Sequence, residues 1–291
     1  MEQLLALNIG DSFIKYGLCD EDGAFVEGSL KEVPSHADGS PYDFISTMHQ
    51  VLSPLKGKVA KAGVSVSAPF DYQKGVFRMT KRFAAMRGQG IGSLFASYGI
   101  APLYLNDSTA FLLGEMASGV AWGRKSGCAI LLGTHMGFAI AKEGRVLVTE
   151  ADYPVVDLAQ KRFHDGTVED YVARQALRRE YHQLSSFPDL VDVDEINRRA
   201  EGGDIWARKV FNDAGTNLAD AIKSYVPHRL RGDFIVLGGK IAYASRFLAP
   251  PISNLLGMDV VRAGHVDDAI LRGIGLYLAQ GREACVWTVA E

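Results

Sequence analysis

At 291 residues, with 47% hydrophobic and 22% charged residues, the chain can bury two modest cores and is neither a disordered tail nor a fibre. Its formal charge of −3 gives no nucleic-acid footprint, and its three cysteines, Cys19, Cys128 and Cys285, lie far apart, which favours a reducing, cytoplasmic setting over a disulfide scaffold. No run of about 20 apolar residues is present and no charged leader with an apolar core opens the chain, so neither a membrane partner nor a signal peptide is expected.

The first strand, Leu4–Ile9, breaks at Gly10-Asp11-Ser12 and resumes as an alternating strand over Phe13–Cys19, which predicts a hairpin. A tight hairpin loop can aim backbone N–H groups at one point and cradle a phosphate, or it can simply turn the chain. A strand over Ala24–Glu32, a helix over Tyr42–Leu52, a strand over Ala60–Ser67 and a helix over Ile91–Ser97 follow. The basic group Arg78, Lys81, Arg82 and Arg87 reads equally as a solvated face or an anion-facing rim.

Pro102–Leu105 then reads as a short buried strand, with Ser108–Ser118 as a helix, so Asn106 and Asp107 sit where strand becomes helix. At the carboxyl edge of an open α/β sheet this is where ligands collect. Either residue can cap the helix by satisfying its N–H groups, and Asp107 can instead act as a base.

Two more apolar strands, Cys128–Leu132 and Phe138–Lys142, flank Gly133-Thr134-His135-Met136-Gly137, and a strand over Arg145–Thr149 comes next. Helices are predicted over Val168–Glu180, Val193–Glu201 and Asp204–Tyr225; the last has apolar residues at helical spacing, an N-terminal acid in Asp204 and a stop at Pro227. The strand Phe234–Leu237 ends in Gly238-Gly239, where backbone can approach a ligand closely. A helix over Ala244–Leu256, a strand over Asp259–Val261 and a helix over Asp267–Ala279 complete the chain. Strand-strand-strand-helix-strand occurs twice, which implies two related α/β halves divided near Gly119 to Gly127.

Two hairpins with phosphate-loop chemistry, a strand-end Asp and a Gly-Gly loop, in this order, resemble the ROK family of sugar kinases and sugar-responsive repressors, in the actin-like ATPase superfamily. The resemblance covers nearly the whole chain. The family's Asp-Ile-Gly-Gly-Thr loop with its Lys corresponds to Asn8-Ile9-Gly10-Asp11-Ser12 with Lys15, and its catalytic Asn-Asp to Asn106-Asp107. Its Gly-Thr-Gly-x-Gly loop corresponds to Gly133, Thr134, His135, Met136 and Gly137, and its adenosine-side glycines to Gly238 and Gly239. The sugar-side Glu-x-Gly-His and Gly-Cys-x-Glu align with Glu150-Ala151-Asp152-Tyr153 and Gly166-Thr167-Val168-Glu169. From the residues alone, Glu169 is equally a first-turn helix acid and Glu150 a surface residue.

The resemblance implies two actin-like (ribonuclease H-like) lobes with an interlobe cleft: 1–118 plus 267–291, holding the first phosphate loop and Asp107, and 119–266, holding the second loop and Gly238-Gly239. It implies ATP-dependent phosphorylation of a hexose, with Asp107 as base. Asn106, Glu150, Tyr153 and Glu169 would contact the sugar; Asn8, Gly10, Asp11, Ser12, Lys15, Gly133, Thr134, Gly137, Gly238 and Gly239 would hold nucleotide, with Mg²⁺ near Asn8 and Asp11. A homodimer is the family expectation. The first loop begins within the first ten residues, so no helix-turn-helix is expected before it and no DNA reading by this chain.

Four positions depart from the family pattern: Asn8 for Asp, Asp11 for Gly, His135 for Gly and Tyr153 for His. The cysteine-rich segment is missing between Glu150 and Glu169, where His164 is the one metal-capable nitrogen or sulfur ligand, so no structural zinc is expected. A catalytically impaired sugar- or nucleotide-binding protein with a regulatory role is the alternative to a kinase.

Overall fold

In chain order the first stretch comprises β1 (Gln3–Ile9), β2 (Phe13–Cys19), β3 (Lys31–Pro34), α1 (Pro41–Leu52), β4 (Val59–Val66), β5 (Phe70–Asp71), β6 (Val76–Phe77), α2 (Gly92–Ala96), β7 (Ala101–Asn106) and α3 (Asp107–Ser118). The middle comprises β8 (Gly127–Leu132), β9 (Met136–Lys142), β10 (Arg145–Val148), β11 (Arg162–Phe163), β12 (Gly166–Thr167), α4 (Glu169–Val172), α5 (Arg174–Ser185) and α6 (Val193–Glu201). Last come α7 (Ile205–Tyr225), α8 (His228–Arg231), β13 (Phe234–Gly238), α9 (Ser245–Leu256), β14 (Asp259–Arg262), α10 (Ala269–Gln280), α11 (Arg282–Cys285) and β15 (Val286–Thr288). The computed structural model describes residues 3–186, 189–265 and 268–290. The chain forms two compact units, 1–118 with 145–155 and 267–291, and 119–144 with 156–266.

In the first unit five strands lie in the order β3-β2-β1-β4-β7, with β1 antiparallel to β2 and parallel to β4, and β4 parallel to β7. Parallel pairing aligns the carboxyl ends of β1, β4 and β7, which gathers Asn8, Ser65 and Asn106 at one edge. Helix α1 starts at Ser40, whose hydroxyl accepts the Asp43 N–H while the Asp43 carboxylate accepts the Ser40 N–H, with Pro41 preset for the first turn. Its buried Phe44, Met48, Val51 and Leu52 join Leu5, Leu7, Val64, Phe70 and Phe77 in one core cluster, each large side chain contributing about 1.5–3 kcal/mol by leaving water. Helix α10 packs on α3 and against β1 and β4.

In the second unit β13 pairs in parallel with β14 and β8, and β8 pairs antiparallel with β9. Helix α7 is capped by Asp204, whose carboxylate accepts the Trp206 and Ala207 N–H groups at 2.9 and 3.1 Å. It buries Val210, Phe211, Ala214, Leu218 and Ile222 and packs on α5, α6 and α9.

The architecture departs from the sequence expectations in three places. The strand expected over Ala24–Glu32 is β3 at Lys31–Pro34; before it only a single antiparallel bridge, Cys19 with Phe25, forms, and beyond that bridge Gly28 takes φ 78° and Ser29 Oγ accepts the Leu18 N–H. The helix expected over Val168–Glu180 is two helices, because Ala173 is extended at φ −83° and ψ 170°. The segment 145–155, expected in the second lobe, belongs to the first unit: β10 pairs in parallel with β15, and Asp152 Oδ1 accepts from Arg282 Nη2 at 2.6 Å. The expected boundary at 266/267, and the start of the helix expected over Asp267–Ala279, lie outside the described residues. No helix among the described residues is long and apolar enough to cross a membrane.

Candidate active site

Within the first unit the edge formed by β1, β4 and β7 carries a connected set of polar groups. Asn106 is the residue that caps α3: its Oδ1 accepts the Ser108 N–H at 3.0 Å and the Ser108 hydroxyl at 2.5 Å. Its Nδ2 donates to Tyr72 OH at 2.8 Å, and Tyr72 OH donates to the Val66 carbonyl at 2.9 Å, so the buried amide is fixed from both ends. The neighbouring Asp107 shares that Ser108 N–H and has a further partner. Its Oδ2 accepts from Ser67 Oγ at 2.6 Å and its Oδ1 from the Ser108 N–H at 2.8 Å, while the residue stays partly exposed. Desolvation pushes the Asp107 carboxyl above the usual carboxylate range; Ser67 and the Ser108 amide pull it back, and the Asp11 charge adds to the rise.

The first hairpin turn lies close enough for that charge to be felt. Asn8 stands opposite Lys15 in the β1/β2 register, and its Oδ1 accepts from Ser65 Oγ at 2.8 Å. The Asp11 and Ser12 carbonyls accept from Ser35, the former from Oγ at 2.6 Å and the latter from N at 3.1 Å. The Gly10 N–H closes the turn onto the Phe13 carbonyl at 3.0 Å rather than pointing outward as a phosphate donor. Asp11 is half-buried and Ser12 exposed.

On the sugar-side segment, Tyr153 packs edge-on against Tyr72 with ring centroids 5.2 Å apart, and burial raises its phenol above the ordinary range. Tyr72 therefore touches both Asn106 and Tyr153. Glu150 is exposed, and its main-chain carbonyl accepts from Gln73 Nε2 at 2.8 Å.

The second unit gathers the remaining predicted residues around the β8–β9 turn. The Gly133 N–H closes onto the His135 carbonyl at 3.0 Å, and the Gly133 carbonyl accepts the Arg174 N–H at 3.0 Å, so the break at Ala173 frees α5 to anchor this turn. Glu169, in the first turn of α4, accepts the Met136 N–H on Oε2 at 2.8 Å and contacts His135 Nδ1 through Oε1 at 3.1 Å. Thr134 and Gly137 are half-buried beside them, and Gly137 pairs with Leu131 in the ladder. Gly238 also pairs with Leu131, from β13. Gly239 has φ 78°, and a Cβ there would lie 2.2 Å from the Leu132 carbonyl oxygen, so only glycine lets the β13 end pass the β8 end.

Sequence reasoning missed Ser65, Ser67, Tyr72 and Ser35. Ser65 and Ser67 alternate with Val66 at the carboxyl end of a strand parallel to the one carrying Asn106-Asp107, and two hydroxyls at that edge were the available signal.

The ROK family model matches residues 163–273. A glucokinase of Thermotoga maritima is 22% identical over 274 residues, covering 86% of each chain. A ROK family glucokinase from Streptomyces griseus, solved with glucose and AMPPNP, superposes with a TM-score of 0.78 at 18% identity, covering 96% of this chain and 100% of that one. A ROK family transcriptional regulator, a homologue of the E. coli MLC protein, reaches a TM-score of 0.80 at 17% identity over 96% of this chain and 78% of its own. The chain thus shares its α/β fold with these ROK proteins, and its residues 163–273 match the model of that family.

Proposed function

We propose that the protein is an ATP-dependent kinase of a hexose or hexose derivative, with Asp107 accepting the proton of the attacking sugar hydroxyl. The observation that carries this is the state of Asp107: a carboxylate at a sheet's carboxyl edge, sharing the Ser108 N–H with Asn106, oriented by Ser67 and raised in proton affinity by its surroundings. A general base placed this way is worth ~10²–10⁴-fold, and phosphoryl transfer takes the rest of its acceleration from positioning and charge. Asn106, Tyr153, Glu150 and Glu169 would bind sugar hydroxyls. Asn8, Asp11, Ser12 and Lys15 in the first unit, and Thr134, Gly137, Gly238 and Gly239 in the second, would bind the nucleotide, with Gly10 and Gly133 shaping the two turns through their internal hydrogen bonds.

A hard cation at the first turn is part of this reading. The Asp11 charge opposes ionisation of Asp107, and a divalent ion relieves that opposition. Asp11 would hold Mg²⁺, with Asn8 a weaker contributor because its Oδ1 already accepts from Ser65. Bound Mg²⁺ would neutralise charge on the transferred phosphoryl group.

A regulatory sugar- or nucleotide-binding protein is the second reading, favoured by the engagement of both Glu169 oxygens at the β8–β9 turn. A coupled ADP-release assay with Mg·ATP across hexoses, amino- and N-acetylated hexoses and ketoses separates the two. Sugar-dependent ADP release supports the kinase, and sugar binding with no release on any of them supports the regulatory reading.

A further inference from the structure

His135 puts an imidazole at the tip of the β8–β9 turn, between Leu132 and Met136. The ring is 44% exposed and the Glu169 carboxylate 20%, so the contact lies at the protein surface. The Met136 N–H holds one carboxylate oxygen and His135 Nδ1 the other. The contact is assigned with Nδ1 as the donor and the carboxylate oxygen as the acceptor. One hydrogen bond leaves the carboxylate free to swing, because a glutamate has three side-chain torsions to order; a second on the other oxygen fixes its plane.

We propose that His135 is a positioning residue which, with the Met136 N–H, locks Glu169 to the phosphate-loop turn. On the sugar-kinase reading above, on which this part rests, affinity for the sugar then depends on a side chain of that turn. His135 reaches Glu169 from the turn itself, whereas Arg174, which anchors the same turn through its N–H, turns its guanidinium to Asp192.

The test compares the full-length parent with His135→Ala and His135→Asn, the second retaining an N–H donor near the position of Nδ1. Amide exchange at Met136 is followed by NMR, and sugar KM and kcat are measured separately. His135→Ala is expected to speed Met136 exchange about tenfold and raise sugar KM about tenfold, with kcat within about threefold; His135→Asn is expected to restore both. Unchanged Met136 exchange in His135→Ala overturns the proposal, as does faster exchange with an unchanged KM in an active parent. If the parent phosphorylates no sugar, the kinase reading fails by itself, and Met136 exchange still decides: faster in the Ala variant and recovered in the Asn variant supports the lock.

Discussion

Ser67 Oγ donates to Asp107 Oδ2 at 2.6 Å, joining the residue just past β4 to the first residue of α3. The hydroxyl stabilises the ionised carboxylate against the desolvation that otherwise favours its protonated form, and it fixes which lone pairs remain for a sugar hydroxyl. Ser67→Ala should lower kcat about tenfold with sugar KM within about twofold, since a hydrogen bond to a charged group is worth ~1.5–3 kcal/mol. Steady-state kinetics at neutral pH check it, and an unchanged kcat would remove Ser67 from the orientation of Asp107.

The helix that starts at Asp107 is itself held by backbone contact. A Cβ on Gly114 would lie 1.9 Å from the Ala269 carbonyl oxygen, and one on Gly273 would lie 1.8 Å from the Ala110 carbonyl oxygen, so α3 and α10 touch main chain to main chain. Gly114→Ala must spread the pair, and overpacking of this kind costs about 3 kcal/mol. Urea unfolding of the variant should show that loss. A midpoint equal to the parent's would mean the helices separate without cost.

Glu180 sets a pH dependence in the second unit. Burial first, then the neighbouring Asp213 carboxylate, raises its acid from 4.5 to about 7, while Lys209 Nζ pairs with Asp213 at 2.5 Å. A folded-state value above the unfolded one means that this group's stabilisation is complete below pH 4.5 and disappears as pH rises through about 7. Relative to Glu180→Gln, the parent should lose about 1 kcal/mol between pH 5 and 8, less than the full shift because solvent screens a partly exposed pair. Parallel denaturation curves at several pH values decide it, and equal pH slopes for the two proteins would refute it.

What was legible in the sequence followed local rules. The hairpins at 10–12 and 133–135, the strand-to-helix step at Asn106-Asp107 and the long helix after Asp204 each carry their own turn, cap or period. What escaped depends on partners far along the chain. Ala173 breaks a helical run so that Arg174 can bond Gly133, and 145–155 joins the first unit because it pairs with Val286–Thr288, a strand of three residues. The hydrogen-bond partners of Asp107 and Asn106, Ser67 and Tyr72, also escaped, because nothing adjacent to that motif reveals them.

Asp11 separates relocation of the metal-facing charge from its loss. Asn8 lacks the carboxylate and Asp11, three positions on, supplies one near enough to raise Asp107. If Asp11 takes over that role, Asp11→Gly should raise the KM for Mg·ATP about tenfold and slow turnover. Tighter nucleotide binding by the variant, read by calorimetry, would show that the carboxylate repels phosphate instead.

The central claim is that Asp107 takes the proton of the attacking hydroxyl, and the most direct measurement is the single-turnover rate of sugar phosphorylation in the parent and in Asp107→Asn. The sugar used is the one that gives the parent its fastest ADP release, and sugar affinity is measured in parallel by calorimetry. The amide keeps the shape and can still meet Ser67 and the Ser108 N–H, but it cannot accept a proton. The account predicts a rate at least about 10²-fold lower with sugar affinity nearly intact. A variant that phosphorylates the sugar at the parent's rate would contradict it.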